Sequence, residues 1–132
     1  MVRSFIIMIN LMNNIKNMDR QVFIDYKMLK ISWEDLKRFS GNPYKNKIDF
    51  PIIIDVFDIL NVIELFEKKK IDVDELMHWA DIIRFSEIYD YPDELNKQEK
   101  IAMAIDMIQD ISLFNLIPDY KYITKIKQIL IE

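Results

Sequence analysis

Apolar residues recur at helical spacing through most of the chain after residue 31. The first such segment begins at Ser32, a residue typical of helix N-caps, and its apolar face consists of Trp33, Leu36 and Phe39. Gly41 ends it, because glycine adopts the backbone conformation that closes a helix without steric cost. The pattern predicts a short helix over 32–40.

A longer and more apolar segment follows. Asp49 is a good N-cap and Pro51 suits a first helical position, so we predict a largely buried central helix over 51–68. The β-branched residues at its start leave a strand over 51–57 as the main alternative. Polar residues form only a narrow stripe in this segment, at Asp55, Asp58, Asn61, Glu64 and Glu67.

Three further helices are predicted towards the carboxyl end. The first begins at Asp72 with Glu75 three residues later, the second near Asn96 and the third after Pro118. Their predicted core faces are Leu76, Trp79, Ala80 and Ile83; Ile101, Ala104, Ile105 and Ile108; and Tyr122, Ile123, Ile126 and Ile129 or Leu130. We therefore predict a mainly α-helical fold, a single domain over 1–132, with five to six helices around the buried helix at 51–68.

The amino-terminal part lacks the regular helical spacing of the later segments. Residues 4–30 contain an apolar run at 5–12 that is too short to span a bilayer, and we interpret it as a strand or an extra helix of the domain. The alternative is that Met18 is the natural start and 1–17 is a mobile leader. Pairing of this apolar segment between two copies would give a weak dimer, so we expect a monomer or weak dimer.

The composition excludes several function classes. With 51% apolar and 30% charged residues, the chain is expected to be a soluble globular protein. It has no cysteine, which rules out disulfides and thiol chemistry and fits a cytoplasmic location. Its single glycine excludes a glycine-rich phosphate loop. Direct nucleic-acid binding is disfavoured because lysine and arginine are not clustered and the net charge is −4.

The whole net charge lies in one window over 81–94. Residues 1–80 and 95–132 are each balanced, whereas the window has five acidic residues against Arg84 alone. Carboxylates beside aromatic rings suit a surface that meets a basic partner, although acidic stretches between helices are also typical of ordinary solvated loops. The candidate partner-binding residues are Asp81, Glu87, Tyr89, Asp90, Tyr91, Asp93 and Glu94.

No residue pattern predicts catalysis or a cofactor. The only histidine, His78, has no cysteine or second histidine to complete a metal site, and we interpret it as a helix-surface group. Carboxylate pairs such as Asp90 and Asp93 match no calcium loop. We therefore predict a protein that is not an enzyme and that has no catalytic, cofactor-binding or metal-binding residues.

The middle of the chain resembles small helical immunity proteins of bacterial contact-dependent inhibition and polymorphic-toxin systems. The resemblance covers about residues 32–130 and is sharpest at Trp79-Ala80 and the acids after it. In that family a long apolar helix, a Glu-Leu-x-x-Trp-Ala helix and an acidic loop follow one another. Here the corresponding runs are Asp49 to Asp58, Glu75-Leu76-Met77-His78-Trp79-Ala80 and Glu87-Ile88-Tyr89-Asp90-Tyr91. The chain departs from the family at Arg84-Phe85-Ser86-Glu87, where paired acids are expected after the arginine.

The resemblance implies a stoichiometric inhibitor that binds a sibling toxin domain inside the producing cell. Many such toxins are nucleases with basic clefts, so the acids would supply complementary charge and Tyr89 and Tyr91 would be buried contacts. Contact with nucleic acid or with a membrane is not expected. A helical adaptor or regulatory module that uses the same acidic surface remains an alternative, and a carboxylate-based metal-dependent enzyme is a weaker one.

Overall fold

The computed structural model describes residues 20–44 and 51–132, and within them it contains six helices and one two-stranded parallel sheet. The prediction of a mainly α-helical bundle is confirmed. The apolar run at 5–12 and the proposed leader at 1–17 lie outside the described residues. The elements are α1 (20–27), α2 (Trp33–Ser40), β1 (Ile52–Ile53), α3 (Val56–Glu67), α4 (Val73–Phe85), β2 (Tyr89–Asp90), α5 (Leu95–Leu113) and α6 (Tyr120–Ile131).

Local capping residues set the starts of three helices. The Ser32 hydroxyl accepts a hydrogen bond from the Asp35 backbone N–H at 3.1 Å, which begins α2 as predicted. The Asp72 carboxylate accepts from the Glu75 N–H at 2.9 Å and begins α4. The Asp119 carboxylate accepts from the Tyr122 N–H and begins α6. Each carboxylate or hydroxyl satisfies a backbone donor that has no partner within its helix.

The helix predicted over 51–68 begins five residues later than expected. Ile52 and Ile53 form β1, and Asp55 rather than Asp49 caps α3 through a capping box with Asp58. The prediction was wrong in this segment because the β-branched residues pair with a strand distant in sequence, which overrides their fit to a first helical turn. Asp55 followed by Asp58 was the local signal for the true start.

The small sheet ties the start of α3 to the segment after α4. Ile52 lies opposite Tyr89 and Ile53 opposite Asp90 in parallel register. The Ile52 N–H donates to the Ile88 carbonyl at 2.7 Å, and the Ile54 N–H donates to the Asp90 carbonyl at 2.9 Å. Because side chains alternate across a strand, Tyr89 points into the core and Asp90 points to solvent.

The centre of the bundle is the antiparallel pair of α4 and α5. Arg84 contacts Asp106 and Asp81 contacts Gln109, so the end of α4 lies beside the middle of α5. The predicted core faces of α4 and α5 are both buried. Helix α6 packs against α5 and completes the core. Helix α3 packs against α4, α5 and α6, but it is less buried than predicted and exposes 76% of Phe57. The buried residues of α3 to α6 are Ile59, Val62, Ile63, Leu76, Trp79, Ala80, Ile82, Ile83, Ile101, Ala104, Ile105, Ile108, Ile111, Ile123, Ile126 and Leu130.

Helix α1 is attached to this centre because side chains of α4 and β2 donate hydrogen bonds to backbone carbonyl groups of α1. The Trp79 indole N–H donates to the Lys27 carbonyl at 3.0 Å, and the Tyr89 hydroxyl donates to the Phe23 carbonyl. The Lys27 ammonium also lies 3.4 Å from the Asp58 carboxylate of α3. The described part of segment 4–30 is therefore an extra helix of the bundle.

Three of the described helices end in a non-glycine residue with left-handed backbone. These residues are Leu29 after α1, Lys69 after α3 and Asn115 after α5, with φ between 51° and 59°. In each case the next backbone N–H donates to a carbonyl five residues earlier, as from Lys70 to Leu65 at 2.9 Å. This is the Schellman arrangement, which satisfies carbonyls at a helix end and turns the chain sharply.

Candidate partner-binding surface

The acidic window begins on α4 and continues through β2 to the first residues of α5. The structure spreads its members over different environments, because α4 ends at Phe85 and the chain then turns back to pair with β1. Glu87, Asp90, Asp93 and Glu94 are exposed, Asp81 and Tyr91 are half-buried, and Tyr89 is buried.

Tyr89 belongs to the core and not to the surface. Its side chain is 6% exposed, its ring packs edge to face against Phe23 with centroids 6.1 Å apart, and its hydroxyl is bonded to the Phe23 carbonyl. Burial raises the pKa of the Tyr89 phenol well above its usual range. We therefore reassign Tyr89 from direct partner contact to support of the strand that carries Asp90.

Asp81 and Arg84 are held by two residues of α5, Asp106 and Gln109, which lie outside the acidic window. The Gln109 amide donates to the Asp81 carboxylate at 2.9 Å, and the Arg84 guanidinium donates to the Asp106 carboxylate and to the Gln109 side-chain oxygen. Asp106 thus compensates the only positive charge of the window. Asp106 and Gln109 lie 22 and 25 residues after Arg84, and no local pattern indicates which helix they face.

A shallow pocket of about 280 Å³ lies between the end of α4, β2 and α5. Tyr91 lines this pocket and is half-buried. Burial raises the pKa of its phenol. The Arg84 charge lowers this pKa, and the charges of Asp106 and Asp90 raise it. Asp90, Tyr91 and Asp106 all line this one pocket. The lining residues are Ile83, Arg84, Tyr89, Asp90, Tyr91, Ala102 and Asp106.

Two exposed carboxylates of the window, Asp90 and Asp93, have neither an ion pair nor a hydrogen bond from another side chain within the described residues. Asp90 uses one oxygen to accept from the Tyr91 backbone N–H at 2.8 Å, and Asp93 has no such contact. Glu94 lies 3.8 Å from the Lys97 ammonium, a solvated pair that contributes little. We call Asp90, Tyr91, Asp93, Glu94 and Asp106 the acidic surface.

His78 is a helix-surface group, as predicted. Its ring is exposed and stacks on Trp33 of α2 with centroids 4.9 Å apart and planes 5° from parallel. Within residues 20–44 and 51–132, no group of three or more histidine, cysteine, aspartate or glutamate side chains could hold a metal ion. No helix in the same ranges is both long and apolar enough to cross a membrane.

Comparison with known proteins gave no relative. No protein family, no curated protein sequence and no solved structure matches this chain. The resemblance to immunity proteins accordingly remains an expectation from the sequence.

Proposed function

We propose that this protein is an immunity protein that binds a basic toxin domain in the cytoplasm of the producing cell and neutralises it without catalysis. The acidic surface is the proposed contact, and a nuclease domain with a phosphate-binding cleft is the proposed partner. The observation that carries the proposal is the pocket at Tyr91, which this half-buried aromatic residue lines together with the exposed acidic residues Asp90 and Asp106.

The pocket suits a lysine or arginine side chain from the partner. The Asp90 carboxylate has one oxygen without a partner among the described residues, and it can accept a charge-assisted hydrogen bond. Tyr91 lines the same pocket, so its ring can add contact area and a cation–π interaction. Asp106 contributes less, because the Arg84 guanidinium already neutralises it.

The charge around the pocket favours fast association with a basic partner. Asp90 and Asp93 are both exposed and uncompensated within the described chain, so their field extends into solvent. Such a field raises the association rate at low ionic strength, whereas tight retention comes from buried contacts near the centre of the interface. In this proposal Tyr91 provides the buried contact and the two aspartates provide the steering.

The surface is held in a rigid framework. Asp90 lies on a strand paired with β1, Tyr89 beneath it is fixed to α1, and Arg84 is bound to two side chains of α5. A contact surface that is already ordered loses little conformational entropy when it binds.

The test reverses the charges of Asp90 and Asp93 together and measures association with a binding partner. That partner is the protein encoded by the gene directly upstream. We expect the Asp90→Lys, Asp93→Lys variant to associate roughly tenfold more slowly at low salt and to show a weaker salt dependence than the parent protein. Stopped-flow kinetics over a salt series measures both quantities, and circular dichroism checks that the helices are intact.

A matched control changes the net charge equally at another place. Glu34 and Asp74 are exposed carboxylates in the first turns of α2 and α4, and the Glu34→Lys, Asp74→Lys variant should retain the parent association rate. Equal slowing by the two variants would show that net charge alone acts and would contradict a contact at the acidic surface. Absence of any complex with the upstream product would contradict the proposed function itself.

A further inference from the structure

A row of bulky apolar side chains is exposed where α5 ends and α6 begins. The residues are Leu113, Phe114, Leu116, Ile117 and Tyr120, and Ile117 and Tyr120 are each 78% exposed. We call this segment the lip. Large exposed apolar patches are uncommon on monomeric proteins and mark sites of association.

The backbone holds the lip in place. Asn115 adopts a left-handed conformation, the Leu116 N–H donates to the Ile111 carbonyl at 2.9 Å, and the Asp119 N–H donates to the Ile117 carbonyl at 2.8 Å. The apolar side chains are therefore presented by an ordered turn between two helices.

An apolar groove of about 640 Å³ lies directly beside the lip. It runs between the lip and the turn that joins α3 to α4, and Tyr120 lines it as well as belonging to the lip. Its apolar lining is Phe66, Ile71, Val73, Pro118, Tyr120 and Ile123. One surface of the molecule thus has both a protruding apolar edge and a recess next to it.

The polar rim of the groove carries both positive and negative side chains. Of its three carboxylates, Glu67 pairs with Lys127, whereas Asp72 and Asp119 cap α4 and α6 through backbone N–H groups and keep their negative charge. Lys69 and Lys70 are exposed and have no ion-pair partner within the described residues.

We propose that two copies of this chain associate through the lip and the groove about a two-fold axis, with the lip of each copy in the groove of the other. An isologous interface requires one surface that is complementary to itself, and an edge beside a recess meets this requirement. Asp119 enters with the lip, so its carboxylate approaches Lys69 and Lys70 of the other copy. The lip exposes roughly 600 Å² of side chain, most of the about 800 Å² that each partner buries in a specific interface.

Sedimentation equilibrium of the full chain tests the proposal at concentrations from about 1 μM to about 1 mM. We expect the parent protein to dimerise in this range and Ile117→Ser to raise the dissociation constant at least about tenfold. Ile131→Ser is the matched control, because Ile131 is 72% exposed at the other end of α6, and it should dimerise like the parent.

A second pair of variants tests the rim. Lys70→Glu should weaken the dimer, whereas Lys30→Glu should not, although both lysines are exposed and occupy the same position after a left-handed helix end. If Ile117→Ser and Lys70→Glu both leave the dissociation constant of the dimer unchanged, the interface lies elsewhere and the proposal is overturned. A parent protein that stays monomeric would also overturn it, and binding of that monomer to anionic lipid vesicles would assign the lip to a membrane surface.

Discussion

Two buried tyrosines differ in what their hydroxyl groups contact. The Tyr89 hydroxyl donates to the Phe23 carbonyl, whereas the buried Tyr26 hydroxyl has no hydrogen-bond partner within the described residues. A buried hydrogen bond contributes a modest net stability, while a buried polar atom without a partner retains its full desolvation cost. Removal of the hydroxyl should therefore lower the stability at Tyr89 but not at Tyr26.

Removing each hydroxyl separately tests this difference. We expect Tyr89→Phe to lower the free energy of unfolding by about 1 kcal/mol and Tyr26→Phe to leave it unchanged or raise it by up to about 1 kcal/mol. Urea denaturation followed by circular dichroism measures both values. A loss of stability in Tyr26→Phe as large as that in Tyr89→Phe would show that the Tyr26 hydroxyl has a partner.

Individual residues of the site were only partly predictable from the sequence. Asp90, Tyr91 and Asp93 could be selected because charge and aromatic character are visible in the window itself. Tyr89 could not be assigned to the core, because its burial depends on strand pairing with β1 and on contact with Phe23. Asp106 was missed because it joins the site only through the antiparallel packing of α5 on α4.

At the scale of elements, the helix starts were more predictable than the segment before α3. Ser32 and Asp72 act through backbone groups three residues away, so their effect is contained in the local sequence. The start of α3 depended on competition between a helical turn and pairing of Ile52 with Tyr89, which are 37 positions apart. Local patterns do not determine the outcome of such a competition.

The left-handed backbone at the helix ends can be tested by glycine substitutions. Lys69 has φ of 59°, a conformation that costs a non-glycine residue about 1 kcal/mol, so Lys69→Gly should raise the free energy of unfolding by about that amount. Lys70→Gly, one residue later, should lower the free energy of unfolding, because glycine there only increases the conformational entropy of the unfolded chain. Asn115→Gly should gain less than Lys69→Gly, since asparagine tolerates this conformation.

Thermal and urea unfolding at low protein concentration measure these differences without a contribution from association. If Lys69→Gly is no more stable than Lys70→Gly, the turn after α3 does not have the left-handed backbone that the structure assigns to it. The same result would weaken the case for an ordered groove, because Lys69 and Lys70 form part of its wall.

At the scale of the whole molecule, buried phenols link stability to alkaline pH. Burial raises the pKa of Tyr26, with Glu75 adding to the effect, and burial alone raises the pKa of Tyr89. Above pH about 10 the unfolded chain releases these protons while the folded chain retains them. The unfolded state then binds fewer protons, so the free energy of unfolding must fall as pH rises.

We expect this fall to begin near pH 10 and to approach about 1.4 kcal/mol per pH unit for each of the two tyrosines. The Tyr26→Phe, Tyr89→Phe double variant should lose stability less steeply over the same range, whatever its stability at neutral pH. Urea titrations at several pH values between about 8 and about 11 provide the comparison. Parallel curves for the parent and the double variant would contradict the burial of these phenols.

The attachment of α1 to α4 gives the protein a built-in optical probe. Trp79 is fully buried and its indole donates to the Lys27 carbonyl at the end of α1, whereas Trp33 is half-buried and stacks on His78. Tryptophan emission shifts to longer wavelength when the indole meets water, so in a Trp33→Phe background the remaining signal reports release of α1. Local opening of this helix can thus be observed separately from loss of the α4–α5 core, which far-ultraviolet circular dichroism follows.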